Sequence, residues 1–120
     1  MEGEDSLKHR SLPIDDEILR GLYQVAVLAL LIEPQHGYRL GHSLKEHGLR
    51  IESGTLYPLL RRLESRGLLQ SSWDTEGSHP RKMYETTMSG RALLERLKPL
   101  WETFVLSTQQ ALENPDGETK

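Results

Sequence analysis

Apolar residues first recur at helical spacing between Ile18 and Ile32, where Ile18, Leu22, Val25, Ala29 and Ile32 return every three or four positions. They line one face of a helix that begins near Asp15. Leu19, Ala26, Leu28, Leu30 and Leu31 widen this stripe to nearly the whole circumference, which predicts burial of the C-terminal end. Gly21 is a candidate interruption, and Pro34 with Gln35 is the stop, because the residue before a proline resists helical angles. Residues 1–14 lack the pattern and read as a flexible tail. A second, short helix from His36 or Gly37 to Glu46 turns Tyr38, Leu40 or Gly41, and Leu44 inward and ends at Gly48. After an extended connector at 49–51, Ser53 has N-cap chemistry for a third helix that runs to about Arg66 and closes at Gly67. Its inward side is Leu56, Leu59, Leu60 and Leu63. Pro58 sits about one turn inside, near the end where a missing amide costs least.

Beyond Gly67 the rhythm changes. Residues 68–73, a polar tip at 74–80 and residues 81–86 read as a β-hairpin. Thr87 then offers an N-cap for a final helix, although Gly90 stands where a capping box places its reciprocal Glu. A helix from there to Glu113 is about 26 residues, or roughly 39 Å, long. It outruns the domain beneath it. Leu93, Leu97, Leu100, Phe104 and Ala111 form one stripe broken at Ser107, and Leu94, Trp101, Val105 and Leu112 form a second. Two stripes predict two surfaces, one for the protomer's own core and one for a partner helix in coiled-coil style. The dimerisation candidates are therefore Leu93, Leu97, Leu100, Trp101, Phe104, Val105 and Leu112. Pro99 removes one helical hydrogen bond and predicts a bend at residues 95–99. The expected organisation is mostly α with a small β-hairpin: a domain at 15–87, a dimerisation helix at 88–113 and a flexible tail at 114–120.

The totals fit one ordinary globular domain: 120 residues, 36% hydrophobic and 28% charged. No apolar run approaches the roughly 18 residues that span a bilayer. Residues 1–10 lack the basic start and apolar stretch of a secretory signal, so the expected location is the cytoplasm. The net charge of −3 argues against a nucleic-acid partner until its distribution is considered. Residues 1–33 hold three basic against seven acidic side chains, residues 36–91 nine against six, and residues 92–120 three against five. Positive charge is concentrated in the middle, a polarity that can orient one face toward DNA.

Catalysis finds little support. There is no cysteine, and of the five histidines, His9, His36, His42, His47 and His79, only His42 shares a helical face with an acid at one-turn separation, Glu46. Two ligands are too few for a metal site, and neither a phosphate-cradling glycine loop nor a nucleophile motif is present. The expectation is a non-enzyme without cofactor or metal.

Three stretches carry a resemblance in order: His36-Gly37-Tyr38; Ser53-Gly54-Thr55-Leu56-Tyr57-Pro58-Leu59-Leu60 with Arg62-Leu63-Glu64 and Gly67-Leu68-Leu69; and Pro80-Arg81-Lys82-Met83-Tyr84. Over residues 19–94 the chain resembles the PadR family. The resemblance implies a winged helix-turn-helix with a long C-terminal dimerisation helix, and a transcriptional repressor whose operator binding is relieved by a small molecule. The end of the chain resembles the family's short branch, with one helix after the wing. The departures are Glu85, Thr86, Met88 and Ser89, where members often have a basic and an apolar residue followed by an acidic first turn; they predict a weaker inner wing strand.

Within that frame the third helix enters the major groove with its N-terminal residues nearest the bases, which makes Ser53, Gly54, Thr55 and Tyr57 the DNA candidates. The competing reading leaves Ser53 as a cap and Tyr57 as packing. Arg61 and Arg62 project about 100° apart, so one faces DNA, and Arg61 is preferred. Tyr38 is either a phosphate contact or a core residue, with Arg39 beside it. Arg81 and Lys82 are placed to reach a minor groove or flanking phosphate, or else form a solvated hairpin end. Trp101, with Leu97 and Phe104, is the candidate pocket for a flat apolar or aromatic effector between subunits; a plain dimer core is the alternative. The partners expected are double-stranded DNA with a near-palindromic site and a second copy of the chain. A winged-helix module that binds protein instead of DNA is the rival class.

Overall fold

The computed structural model describes residues 13–116. The order is α1 (Pro13–Leu30), β1 (Gln35–His36), α2 (Gly37–Glu46), α3 (Ser53–Ser65), β2 (Leu69–Asp74), β3 (Arg81–Thr86) and α4 (Met88–Glu113). The predicted N-terminal tail lies outside the described residues except for Pro13 and Ile14, which are helical; of the C-terminal tail, residues 117–120 lie outside. The three strands form one antiparallel sheet in the order β1-β3-β2. Three helices and this sheet enclose a core of leucines from every layer, including Leu28, Leu40, Leu60, Leu63 and Leu69, with Tyr84.

The helix ends are set by local chemistry. Gly48 and Gly67 have φ of 80° and 76°, the left-handed region that a Cβ disfavours. This conformation lets the Leu49 N–H reach the Leu44 carbonyl at 2.8 Å and the Leu68 N–H reach that of Leu63 at 3.0 Å. Both α2 and α3 thus end in the same hydrogen-bonded reversal, with an apolar contact across it. At the start of α4 the Thr87 hydroxyl accepts from the Gly90 N–H at 3.1 Å and donates to the Gly67 carbonyl at 2.7 Å. A Cβ at Gly90 would lie 2.6 Å from the Leu68 carbonyl oxygen, so the position opposite the cap must be a glycine and cannot hold the Glu of a capping box.

Several expectations are corrected. α1 ends at Leu30, before the Pro34 stop, because groups from elsewhere take up its terminal carbonyls. The Thr86 hydroxyl donates to Leu28 O at 2.7 Å, the Thr86 N–H to Leu31 O at 2.8 Å, and Gln35 Nε2 to Leu30 O at 3.0 Å. Its C-terminal end is buried as expected, through Val27, Leu28 and, just past the helix, Leu31, whereas Ile18, Leu22, Ala29 and Ile32 of the first stripe are exposed, as is Leu19. A segment apolar nearly all round offers more than one candidate face, and periodicity alone does not choose between them. Ser53 is the first residue of α3 rather than its cap; Glu52 occupies the cap without a side-chain bond. β1 was not anticipated: two residues are too short for a period, and they form a strand because Gln35 and His36 pair with Tyr84 and Met83. β3 is consequently the central strand, paired on both edges over a regular register, and shows no weakening at Glu85 or Thr86.

α4 continues through Pro99 as one 26-residue helix. Its first turns pack on the core through Leu94, which is buried, and Leu93, which is partly buried. From Leu100 onward its apolar residues are exposed in both stripes, so the two predicted surfaces divide along the helix rather than around it. The radius of gyration is 17.0 Å, against about 13–14 Å for a compact chain of this length.

Candidate nucleic-acid interface

α3 buries Leu56, Leu59, Leu60 and Leu63, and at about 100° per residue the opposite side is the line Gly54, Pro58, Arg61 and Ser65. All four are exposed, as are Ser53, Thr55 and Arg62. Arg61 therefore stands at the middle of the outward face and Arg62 on its flank. With Glu52 at the cap, Ser53 stands exposed in the first turn of the helix. Tyr57 lies on the flank nearest the sheet, 36% exposed. A Cβ at Gly37 would stand 2.7 Å from its hydroxyl oxygen, so glycine is what allows α3 and the start of α2 to close on this ring. Tyr57 accordingly packs and is exposed at once.

Tyr38 is 72% exposed and meets the His42 ring edge-on, with centroids 4.7 Å apart and planes at 71°. This overturns its reading as a core residue. Arg39 beside it is exposed. Together with Gln35, His36, Arg81 and Met83, these two residues line an open cleft of about 750 Å³ between the first turn of α2 and the hairpin.

The hairpin joins these elements through contacts that link distant parts of the sequence. Asp74, the last residue of β2, accepts from the Glu76 N–H at 3.1 Å and meets His36 Nε2 at 2.9 Å. The backbone bond, the His36 contact and, to a lesser extent, the nearby Arg81 hold its carboxyl below the usual carboxylate range. On the face toward α3, Glu64 accepts from the Ser71 hydroxyl at 2.5 Å and lies 4.0 Å from Lys82 Nζ. Lys82 also stands 5.7 Å over the Tyr84 ring. Burial first, then the neighbouring Glu64 carboxylate, pushes the Tyr84 hydroxyl up. Lys82 is thus half-buried and directed along the sheet, whereas Arg81, opposite Asp74 in the ladder, is exposed.

Ser53, Gly54, Thr55, Tyr57 and Arg61 thus gather on α3, with Lys82 beside them and Tyr38 and Arg81 around the cleft. Sequence reasoning missed Glu64, Asp74 and His36 as the side chains that fix the hairpin. His36 and Glu64 lie inside the quoted motifs, but no spacing signal connects either one to its partner. The effector and dimerisation candidates form a separate group on α4: Leu97 is half-buried, Trp101 is 38% exposed, and Leu100, Phe104, Val105 and Leu112 are exposed. Among the described residues no cluster of three or more His, Asp or Glu is suited to a metal ion, and no helix is long and apolar enough to cross a membrane.

The profile of the Transcriptional regulator PadR-like family matches residues 27–96. A solved PadR-family transcriptional regulator from Eggerthella lenta is 41% identical, superposes with a TM-score of 0.76, and is covered over 99% of its length by 95% of this chain. A PadR-like transcriptional regulator from Bacillus cereus is 27% identical, with a TM-score of 0.71 over 82% of this chain and 98% of its own. Transcriptional regulator Rv3488 of Mycobacterium tuberculosis is 46% identical over 59 residues, 49% of this chain and 55% of that protein. The match therefore spans about half of that relative's length. The architecture is the mostly helical winged helix-turn-helix with its β wing. By profile, fold and motif, the chain belongs to the PadR-like family, which consists of transcriptional regulators rather than enzymes.

Proposed function

We propose that the protein is a dimeric, sequence-specific DNA-binding repressor. The observation that carries this reading is the outward line of α3, where Gly54 and Arg61 stand exposed among Ser53, Thr55 and Tyr57, with Arg81 and Lys82 on the adjoining hairpin. In such an arrangement the short side chains at the N-terminus of α3 approach base edges, and Arg61, Tyr38, Arg81 and Lys82 engage the backbone or minor groove. Exposed apolar residues away from α3 support the dimeric part of the reading. Leu100, Phe104 and Leu112 are 66%, 62% and 77% exposed, and α1 adds exposed Ile18, Leu19 and Leu22. A second copy would cover this apolar surface and bring two α3 helices to half-sites about 34–36 Å apart, one helical turn of DNA. The matching operator is near-palindromic.

Release by an effector is the finer part of the proposal. Trp101, with Leu97 and Phe104 on the same helical side, would meet its own copy across the two-fold axis and hold a flat apolar or aromatic compound there. The cytoplasm is where such a regulator acts.

The test is binding to fragments of the protein's own upstream region across a salt series. A specific complex at low ionic strength is expected, with an affinity that falls steeply with salt and a slope that flattens in the double variant Arg81→Ala, Lys82→Ala. Failure to bind any fragment would refute the proposal and favour a protein-binding module, which would tolerate that double substitution.

A further inference from the structure

Trp73 is 64% exposed on a hairpin whose other large apolar residues, Leu69, Met83 and Tyr84, are buried or half-buried. Alternation along β2 puts Leu69, Ser71 and Trp73 on one face, and their ladder partners Thr86, Tyr84 and Lys82 share it. That face is the one that meets α3: Leu69, Tyr84 and Thr86 are buried, and Ser71 bonds Glu64. Trp73 continues the same face one step beyond Ser71, where the helix no longer covers it. Lys82 is directly across the ladder from it, and Arg61 stands about one turn before Glu64 on α3.

The charges of the hairpin are partly compensated within the protein. Lys82 lies 4.0 Å from Glu64, and Arg81 is paired in register with Asp74. Each cation faces a carboxylate, so the pull on phosphate that the two supply is partly spent within the protein. An indole can add what these cations do not. Its ring packs on a deoxyribose or an unstacked base, and its N–H donates to a phosphate oxygen. An exposed aromatic group opposite Lys82 in the ladder, on the sheet face that meets α3, matches an anionic partner with apolar sugar edges.

Building on the DNA-binding reading above, we infer that Trp73 is a direct DNA contact of the wing, one that contributes by packing rather than by charge. The experiment uses the full chain with both tryptophans replaced biosynthetically by 5-fluorotryptophan, their two ¹⁹F resonances assigned with Trp73→Phe. The duplex is a promoter fragment shown to bind by mobility shift. On adding it, the Trp73 resonance should move and lose its H2O/D2O isotope shift, the mark of an exposed ring becoming covered. Trp73→Ala should weaken the complex about tenfold with the salt slope unchanged, and Trp73→Phe should retain most of the affinity. A duplex that binds while the Trp73 resonance and the affinity stay as they were would overturn the inference and leave the DNA reading standing. A flattened salt slope in Trp73→Ala would also overturn it, because the substitution would then be acting through Lys82. If no promoter fragment binds, both readings fall together.

Discussion

Thr86 shows how much one side chain can carry in this fold. It is 2% exposed, and its hydroxyl and N–H supply donors to two carbonyls at the end of α1, at 2.7 and 2.8 Å. Thr86→Val keeps the shape and removes the hydroxyl, leaving the Leu28 carbonyl without its donor. A loss of about 1–3 kcal/mol is expected, readable as a lower midpoint in urea unfolding with an unchanged slope. Asp74 makes a different prediction, because its carboxyl is depressed below the ordinary value of 3.8 by the Glu76 N–H and His36. A depressed folded-state value means that the ionised form stabilises the fold above the ordinary range, and that this contribution disappears as pH falls through the folded value. The difference in melting temperature between the wild type and Asp74→Asn should therefore be full near neutrality and shrink below about pH 4. A difference that held constant down to pH 2 would contradict the assignment.

Among the elements, two glycines in helices have opposite meanings. Gly90 lets α4 approach the chain leaving α3, and a Cβ there would meet the Leu68 carbonyl at 2.6 Å and Thr86 Cγ2 at 2.5 Å. The first of these is backbone and cannot rotate away. Gly90→Ala should cost about 1–3 kcal/mol by overpacking. Gly21 lies inside α1 with nothing within 4 Å of a built Cβ, so Gly21→Ala should stabilise by about 0.5–1 kcal/mol through helix propensity alone. Thermal melts of the two variants beside the wild type should move in opposite directions. The wing is likewise defined by its attachments rather than by its length: Glu64 holds its α3 face through Ser71 and Lys82, while His36 holds its outer strand through Asp74.

For the whole molecule, the main features are the extent of 58 × 39 × 24 Å and the exposed apolar residues of α4 from Leu100 onward. Leu100 and Phe104 contribute nothing to the core of their own protomer, so replacing both with Lys should leave helical content and domain packing intact. The same pair of substitutions should convert a dimer to a monomer, seen as a halved mass in light scattering. Operator affinity should fall by about a hundredfold, because two half-sites can no longer be held by one particle. Retention of the dimer in this variant would move the partner surface to α1, whose Ile18, Leu19 and Leu22 are exposed.

Features of the fold that depend on neighbours in the chain were legible in the amino-acid string. Gly48 and Gly67 end their helices, Thr87 starts the last one, the hairpin occupies residues 69–86, and Leu56, Leu59, Leu60 and Leu63 face inward, because caps, turns and periodicity are set within a few residues. That Arg61 and Arg62 point in different directions followed from the same angular arithmetic. The choice between the two apolar faces of α1 did not, since both satisfy a helical period and only the docking of α2, α3 and β3 decides which is buried. β1, the exposure of Tyr38, and the pairing of His36 with Asp74 and of Glu64 with Lys82 are also tertiary. Each depends on where an element far along the chain comes to rest, and no local pattern encodes that distance.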